Sequence, residues 1–153
     1  MAFRAVIKFD GISGTSDLKG ASDYIDVLSY HWGIHNNVKA WEKAPSGTAT
    51  VQDLSIVKRV DPSSPDLFSF CAQGNKIGTV ELRLYQAGGS KDDPKQFAGY
   101  KFTTCYITSV RPGGSSGGDD PLEEVSFNFA KAEYNYGSKK GSFDVGKAGI
   151  QGQ

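Results

Sequence analysis

Thr50-Val-Gln-Asp-Leu-Ser-Ile-Val-Lys-Arg-Val-Asp-Pro-Ser-Ser-Pro-Asp-Leu-Phe-Ser-Phe-Cys-Ala-Gln-Gly74 decides how the rest of the chain is read. A half-buried strand runs straight into one short, well-delimited helix. Ser64 is placed to accept a hydrogen bond as N-cap, Pro65 fits the first helical position, where no N–H is required, and Gly74 can take the left-handed conformation that ends a helix. A helix is therefore expected over about residues 64–73, roughly two to three turns. Leu67, Phe68, Cys71 and Ala72 lie three or four apart and predict one apolar face. Little else in the chain has a helical period, so that face needs a sheet to lie on.

Outward from this stretch, composition bounds the architecture. The chain has 153 residues, of which 38% are hydrophobic, with 19 glycines and 17 acidic against 17 basic side chains. That length supports one core. Balanced charge supplies no general drive toward nucleic acid or anionic lipid. No apolar run approaches about 18 residues, so membrane insertion is not expected. Residues 1–10 read as a strand rather than a signal peptide, and synthesis in the cytoplasm is expected. Cys71 and Cys105 are then expected as reduced, buried, small apolar side chains.

Alternation dominates the pattern. Phe3, Ala5, Ile7 and Phe9 alternate with Arg4, Val6 and Lys8, predicting a strand with one buried face. Gly11 to Gly20 reads as a loop. From Tyr24 to Ile34 one continuous strand is expected, with Leu28, Tyr30 and Trp32 on its core face and Ser29 and His31 pointing outward. Asn36 to Gly47 is a long connection carrying Trp41. After the helix, Ile77 to Gln86 and Phe97 to Val110 predict strands separated by a polar turn at Gly88 to Pro94. A glycine-rich loop, Pro112 to Pro121, precedes the last expected strand, which Tyr134 and Tyr136 close. The whole predicts an all-β, mainly antiparallel fold: a small β-barrel of two packed sheets with one short flanking α-helix. Residues 1–137 form the barrel domain and 138–153 a C-terminal tail without a domain of its own.

The inventory for chemistry is thin. His31 and His35, four strand residues apart, stand roughly 13 Å from each other, too far to share a metal. They read as solvent-facing. Asp119, Asp120, Glu123 and Glu124 lack the spacing of a calcium loop and read as a solvated cluster. The glycine runs lack the helix and lysine that would cradle phosphate. No catalytic, cofactor or metal site is expected, nor a basic groove for nucleic acid.

Gly11-Ile-Ser-Gly14, Tyr24-Ile-Asp-Val-Leu-Ser-Tyr-His-Trp-Gly33, Val51-Gln-Asp-Leu-Ser55, Val60-Asp-Pro-Ser-Ser-Pro-Asp-Leu67, Arg83-Leu-Tyr-Gln-Ala-Gly-Gly89 and Glu124-Val-Ser-Phe-Asn-Phe-Ala130 occur in the order and spacing of the Hcp, or hemolysin-coregulated protein, family. The chain resembles that family from about residue 3 to residue 136, and departs from it at Tyr30-His31-Trp32-Gly33, where relatives usually read Trp-Ser-Trp-Gly. The resemblance implies a structural tube subunit of the type VI secretion system of Gram-negative bacteria rather than an enzyme. It implies hexameric rings stacked inside a contractile sheath, a spike protein of the VgrG type at the tip, small secreted effectors in the lumen, and export through the apparatus into the medium or a target cell. Since the family's lumen wall is made of sheet, Ser29 and His31 become candidate effector contacts; the alternative that the pattern leaves open is His31 facing bulk solvent or a subunit contact. Asn36, Asn37, Lys39, Trp41, Glu42 and Lys43 become the candidate loop for contacts between subunits or between stacked rings. The rival classes are a secreted β-barrel hydrolase, for which nucleophile, base and orienter cannot be assembled from these residues, and a monomeric carbohydrate- or nucleic-acid-binding barrel.

Overall fold

The computed structural model describes residues 2–43, 49–86 and 94–145. In chain order the elements are β1 (Phe3–Phe9), β2 (Ile25–Val27), β3 (Ser29–His31), β4 (Ile34–Asn36), β5 (Ala49–Val51), β6 (Leu54–Arg59), α1 (Ser64–Gln73), β7 (Ile77–Gln86), β8 (Gln96–Gly113), β9 (Leu122–Tyr136) and β10 (Lys139–Asp144). The main sheet runs β2-β1-β7-β8-β9-β6-β3, with β10 also on β9, while β4 and β5 pair separately. All pairings are antiparallel. The two ends of this order, β2 and β3, are joined by the single residue Leu28, whose N–H donates to the Val57 carbonyl at 2.8 Å. The sheet therefore curls into a nearly closed barrel.

The two walls expected from the sequence are the halves of that one sheet. β8, 18 residues long, pairs with β7 through its first half, and β9, 15 residues long, pairs with β6 through its first half. Both strands pass from one wall to the other, and β8 carries a bulge between Ile107 and Ser109 that bends it. Inside lie Ile7, Phe9, Ile25, Leu54, Ile56, Leu82, Phe102 and Phe127. Trp32 meets Tyr100, Phe102 and Phe129 edge-on at 5.5 to 5.6 Å and stacks on Phe143 of β10 at 6.4 Å.

Six readings need correction. Residues 24–34 do not form one strand with an even core face. Ile25 and Val27 point inward, Leu28 is 44% exposed, and only then do Tyr30 and Trp32 turn to the core. Leu28 is the corner where the chain leaves β1 for β6, and changing partner there moves the inward face by one residue. Ile34, in β4, is exposed as well. β1 is buried on both faces, because Leu18 and Ala21 of the loop 11–24 fold over Val6 beside Tyr85 of β7. On α1, Phe68 is 63% exposed and Ala72 is exposed, so the packed face is Leu67, Phe70 and Cys71. The N-cap is Ser63, without a side-chain cap bond, while Gly74 closes the helix with φ 66° as expected. The chain beyond Gly137 is not strandless: β10 pairs with β9 from Lys139 opposite Tyr136 to Asp144 opposite Lys131. The turn at 88–94 lies, apart from Pro94, outside the described residues, as do the end of the long loop at 44–48 and the segment 146–153.

The remaining correction concerns Glu123, which belongs to no solvated cluster. In β9 it shares the core face with Val125 and Phe127, directly opposite Lys58 of β6. Lys58 is fully buried, and its Nζ donates to Glu123 Oε1 at 2.6 Å, Asp61 Oδ1 at 3.0 Å and Ser64 Oγ at 3.2 Å. Ser64 Oγ in turn donates to Glu123 Oε1 at 2.6 Å. The hydroxyl assigned to helix capping thus ties the first turn of α1 to the floor of the barrel.

The loop 11–24 closes through the Gly14 N–H on the Asp23 carbonyl at 2.9 Å. A Cβ on Gly14 would lie 2.1 Å from the Tyr24 carbonyl oxygen, a backbone atom that cannot swing aside. Gly14→Ala is therefore expected to cost about 1–3 kcal/mol by forcing the loop off Val6. Urea unfolding measures this, and a midpoint equal to that of the parent would show that the loop yields freely.

Candidate functional site

Side chains directly opposite on neighbouring strands share a face, so the registers define a surface on the outward side of β3, β6, β9 and β8. One row reads His31, Ser55, Ser126, Ser109. The next reads Ser29, Val57, Glu124, Arg111. Ser29 and His31 are both exposed there, on the side opposite Tyr30. Ser55 and Ser126 join hydroxyl to hydroxyl at 2.7 Å, and Glu124 stands 3.7 Å from Arg111. Beside them Thr108 donates to Asp53 at 2.7 Å. The surface is hydroxyl-rich, with Ser126 set low in it at 9% exposure. Its few ions largely cancel.

The long loop is placed separately. Asn36 ends β4, its side chain accepts the Val38 N–H at 2.8 Å, and the Glu42 N–H donates to the Lys39 carbonyl at 3.1 Å. Asn36, Asn37, Lys39, Trp41, Glu42 and Lys43 are all exposed, with Trp41 at 82%. His35, in β4, is exposed and outside the His31 row. Sequence reasoning found Ser29 and His31 but not Ser55, Ser126 and Ser109, which complete the row of His31. For Ser55 and Ser126 the available signal was a place between core residues, Leu54 and Ile56 or Val125 and Phe127, whereas Ser109 follows a bulge that no local pattern marks.

Chemically, such a surface can hold a polypeptide by hydrogen bonds. Among the described residues, no three His, Cys, Asp or Glu side chains gather to hold a metal. The Cys105 thiol is buried, and burial pushes its pKa up to about 12, the wrong direction for a nucleophile. Tyr24, also partly desolvated and donating to Glu81 at 2.7 Å, has its phenol held above the ordinary range.

An antiparallel barrel with one flanking helix and a hydroxyl-faced wall is the architecture of a binding or assembly module. The family model described as type VI secretion system effector, Hcp, matches residues 6–136. The protein hcp1 of Pseudomonas aeruginosa is 31% identical over 142 residues, covering 92% of this chain and 86% of that protein. The crystal structure of Hcp1 from Salmonella typhimurium superposes with a TM-score of 0.80 at 30% identity, covering 95% of this chain and 96% of that one. A type VI secretion system effector from Yersinia pestis gives a TM-score of 0.76 at 30% identity, over 92% of this chain and 99% of that one. The chain belongs to the Hcp family of type VI secretion proteins. That family is one of secreted structural tube proteins rather than of enzymes.

Proposed function

We propose that this chain is the tube subunit of a type VI secretion apparatus, closing into hexameric rings whose lumen is lined by the outward side of β3, β6, β9 and β8. The observation that carries this reading is the row His31, Ser55, Ser126, Ser109. Hydroxyls that already satisfy one another, as Ser55 and Ser126 do, present a surface that is polar without gripping any one partner strongly. Ser29 and His31 project from it as the effector contacts. The loop from Asn36 to Lys43 mediates contacts between subunits or stacked rings. β10 has, among the described residues, a single partner strand, β9, and so offers an edge to a neighbouring subunit. A head-to-tail interface whose rotation closes makes the ring. The assembled tube meets a sheath outside, a VgrG-type spike at its tip and small effectors inside, and leaves the cell with them through the apparatus.

Light scattering coupled to size exclusion, with negative-stain microscopy, tests the assembly. A hexameric mass and ring-shaped particles are expected. A strictly monomeric protein over a broad concentration range would favour an isolated binding barrel instead.

A further inference from the structure

Between β5 and the outward side of β8 and β9 lies a cleft of about 340 Å³. Val51, Phe129, Ala130 and Val145 make it apolar, and Gln52, Asp53 and Asn128 add polar groups. Thr104 also lines it, in the gap of the ladder between Thr103 and Cys105, with φ 56°. A β-branched residue takes that left-handed conformation only under strain, and strain of this kind collects at contact sites.

The same chain carries a side chain of matching shape. Trp41 is 82% exposed on the loop after β4. We infer that the cleft receives Trp41 of a second copy of this chain, an inference that rests on the assembly proposed above and gives its loop a receptor. The cleft is at the small end of ligand pockets, which span roughly 300–1,000 Å³, so it suits one large aromatic side chain better than a cofactor. The indole N–H is a donor only, and Gln52, Asp53 and Asn128 all offer acceptor oxygens. Charge agrees as well: Lys39 and Lys43 outnumber Glu42 beside Trp41, and Asp53 is the one charged residue lining the cleft. A knob and a hole at different places on one subunit form a heterologous contact, which propagates from copy to copy rather than closing on itself in a pair. Buried tryptophans are frequent anchors of such contacts.

Cross-linking between copies tests this. Glu42→Cys, which keeps Trp41 in place, and Asn128→Cys are made separately in a Cys71→Ser background that assembles like the parent, carry tags of different mass, and are mixed with a short bis-maleimide. A dimer containing one of each is expected. Trp41→Ala, and Ala130→Trp, which fills the cleft, should each weaken ring-on-ring association by roughly tenfold or more while leaving the melting temperature unchanged. Assembled tubes without the mixed cross-link would overturn the inference and leave the ring reading standing. Absence of any assembly would overturn both. A cross-link found only inside the monomer of the double variant would assign the cleft to its own loop. Normal tubes that lose co-purifying effector in Ala130→Trp would assign it to cargo. Either of these last two results also sinks the inference.

Discussion

Lys58→Ala is expected to destabilise the barrel by about 3–5 kcal/mol, the range for breaking a buried ion pair from one side. Glu123, 4% exposed, would lose its ammonium partner and keep only the Ser64 hydroxyl as a donor, while Asp61 would lose the same cation. The excised side chain also leaves a cavity between β6, β9 and the first turn of α1. Glu123→Gln should cost less, because Lys58 keeps Asp61 at 3.0 Å and the amide oxygen can still accept from Lys58 or Ser64. Replacing both partners with apolar residues, Lys58→Met with Glu123→Leu, should recover much of the loss, since the one charge left without its cation, Asp61, is 20% exposed and keeps the Ser63 N–H and hydroxyl as donors. Urea unfolding of the three variants at neutral pH gives the ordering. If Lys58→Ala loses less than about 1 kcal/mol, water reaches the carboxylates and the network is not a structural tie.

In the proposed ring, His31→Asp should leave ring size unchanged and shift the retention of individual effectors by roughly tenfold or more, equivalent to ~1.4 kcal/mol per bound effector. Tyr30 lies on the opposite face of β3, packed against the core, so a substitution at exposed His31 does not disturb the barrel. His31 is the only ionisable member of its row with Ser55, Ser126 and Ser109. If the chain assembles as proposed, a carboxylate there puts a permanent negative charge at every subunit around one channel, where like charges reinforce one another's field. Acidic cargo would be repelled by that belt and basic cargo favoured by it. Co-purification and secretion assays read the change, and His31→Ser serves as the neutral comparison. Unchanged export of every effector by rings of normal size would show that His31 makes no cargo contact.

What the amino-acid sequence determined by itself is what depends on near neighbours along the chain. Pro65 and Gly74 bound α1 because both act through their own backbone dihedrals, and alternation marks β1, β7 and β9 because a strand shows one face every second residue. For the same reason Ser29 and His31 could be placed opposite Tyr30. Tertiary structure alone decided the rest. Leu28 moves the inward face because a new partner strand takes over there, and Val6 is covered because a distant loop folds across it. Phe68 is exposed because α1 meets the barrel along Leu67, Phe70 and Cys71, and helical spacing alone does not choose between that stripe and the one through Phe68 and Ala72. Lys58 and Glu123, 65 positions apart, look like ordinary surface charges until register sets them face to face inside the barrel. Ser55, Ser126 and Ser109 become one row for the same reason. Register between strands far apart in sequence is chosen by the packing of the whole core, and no local pattern carries it.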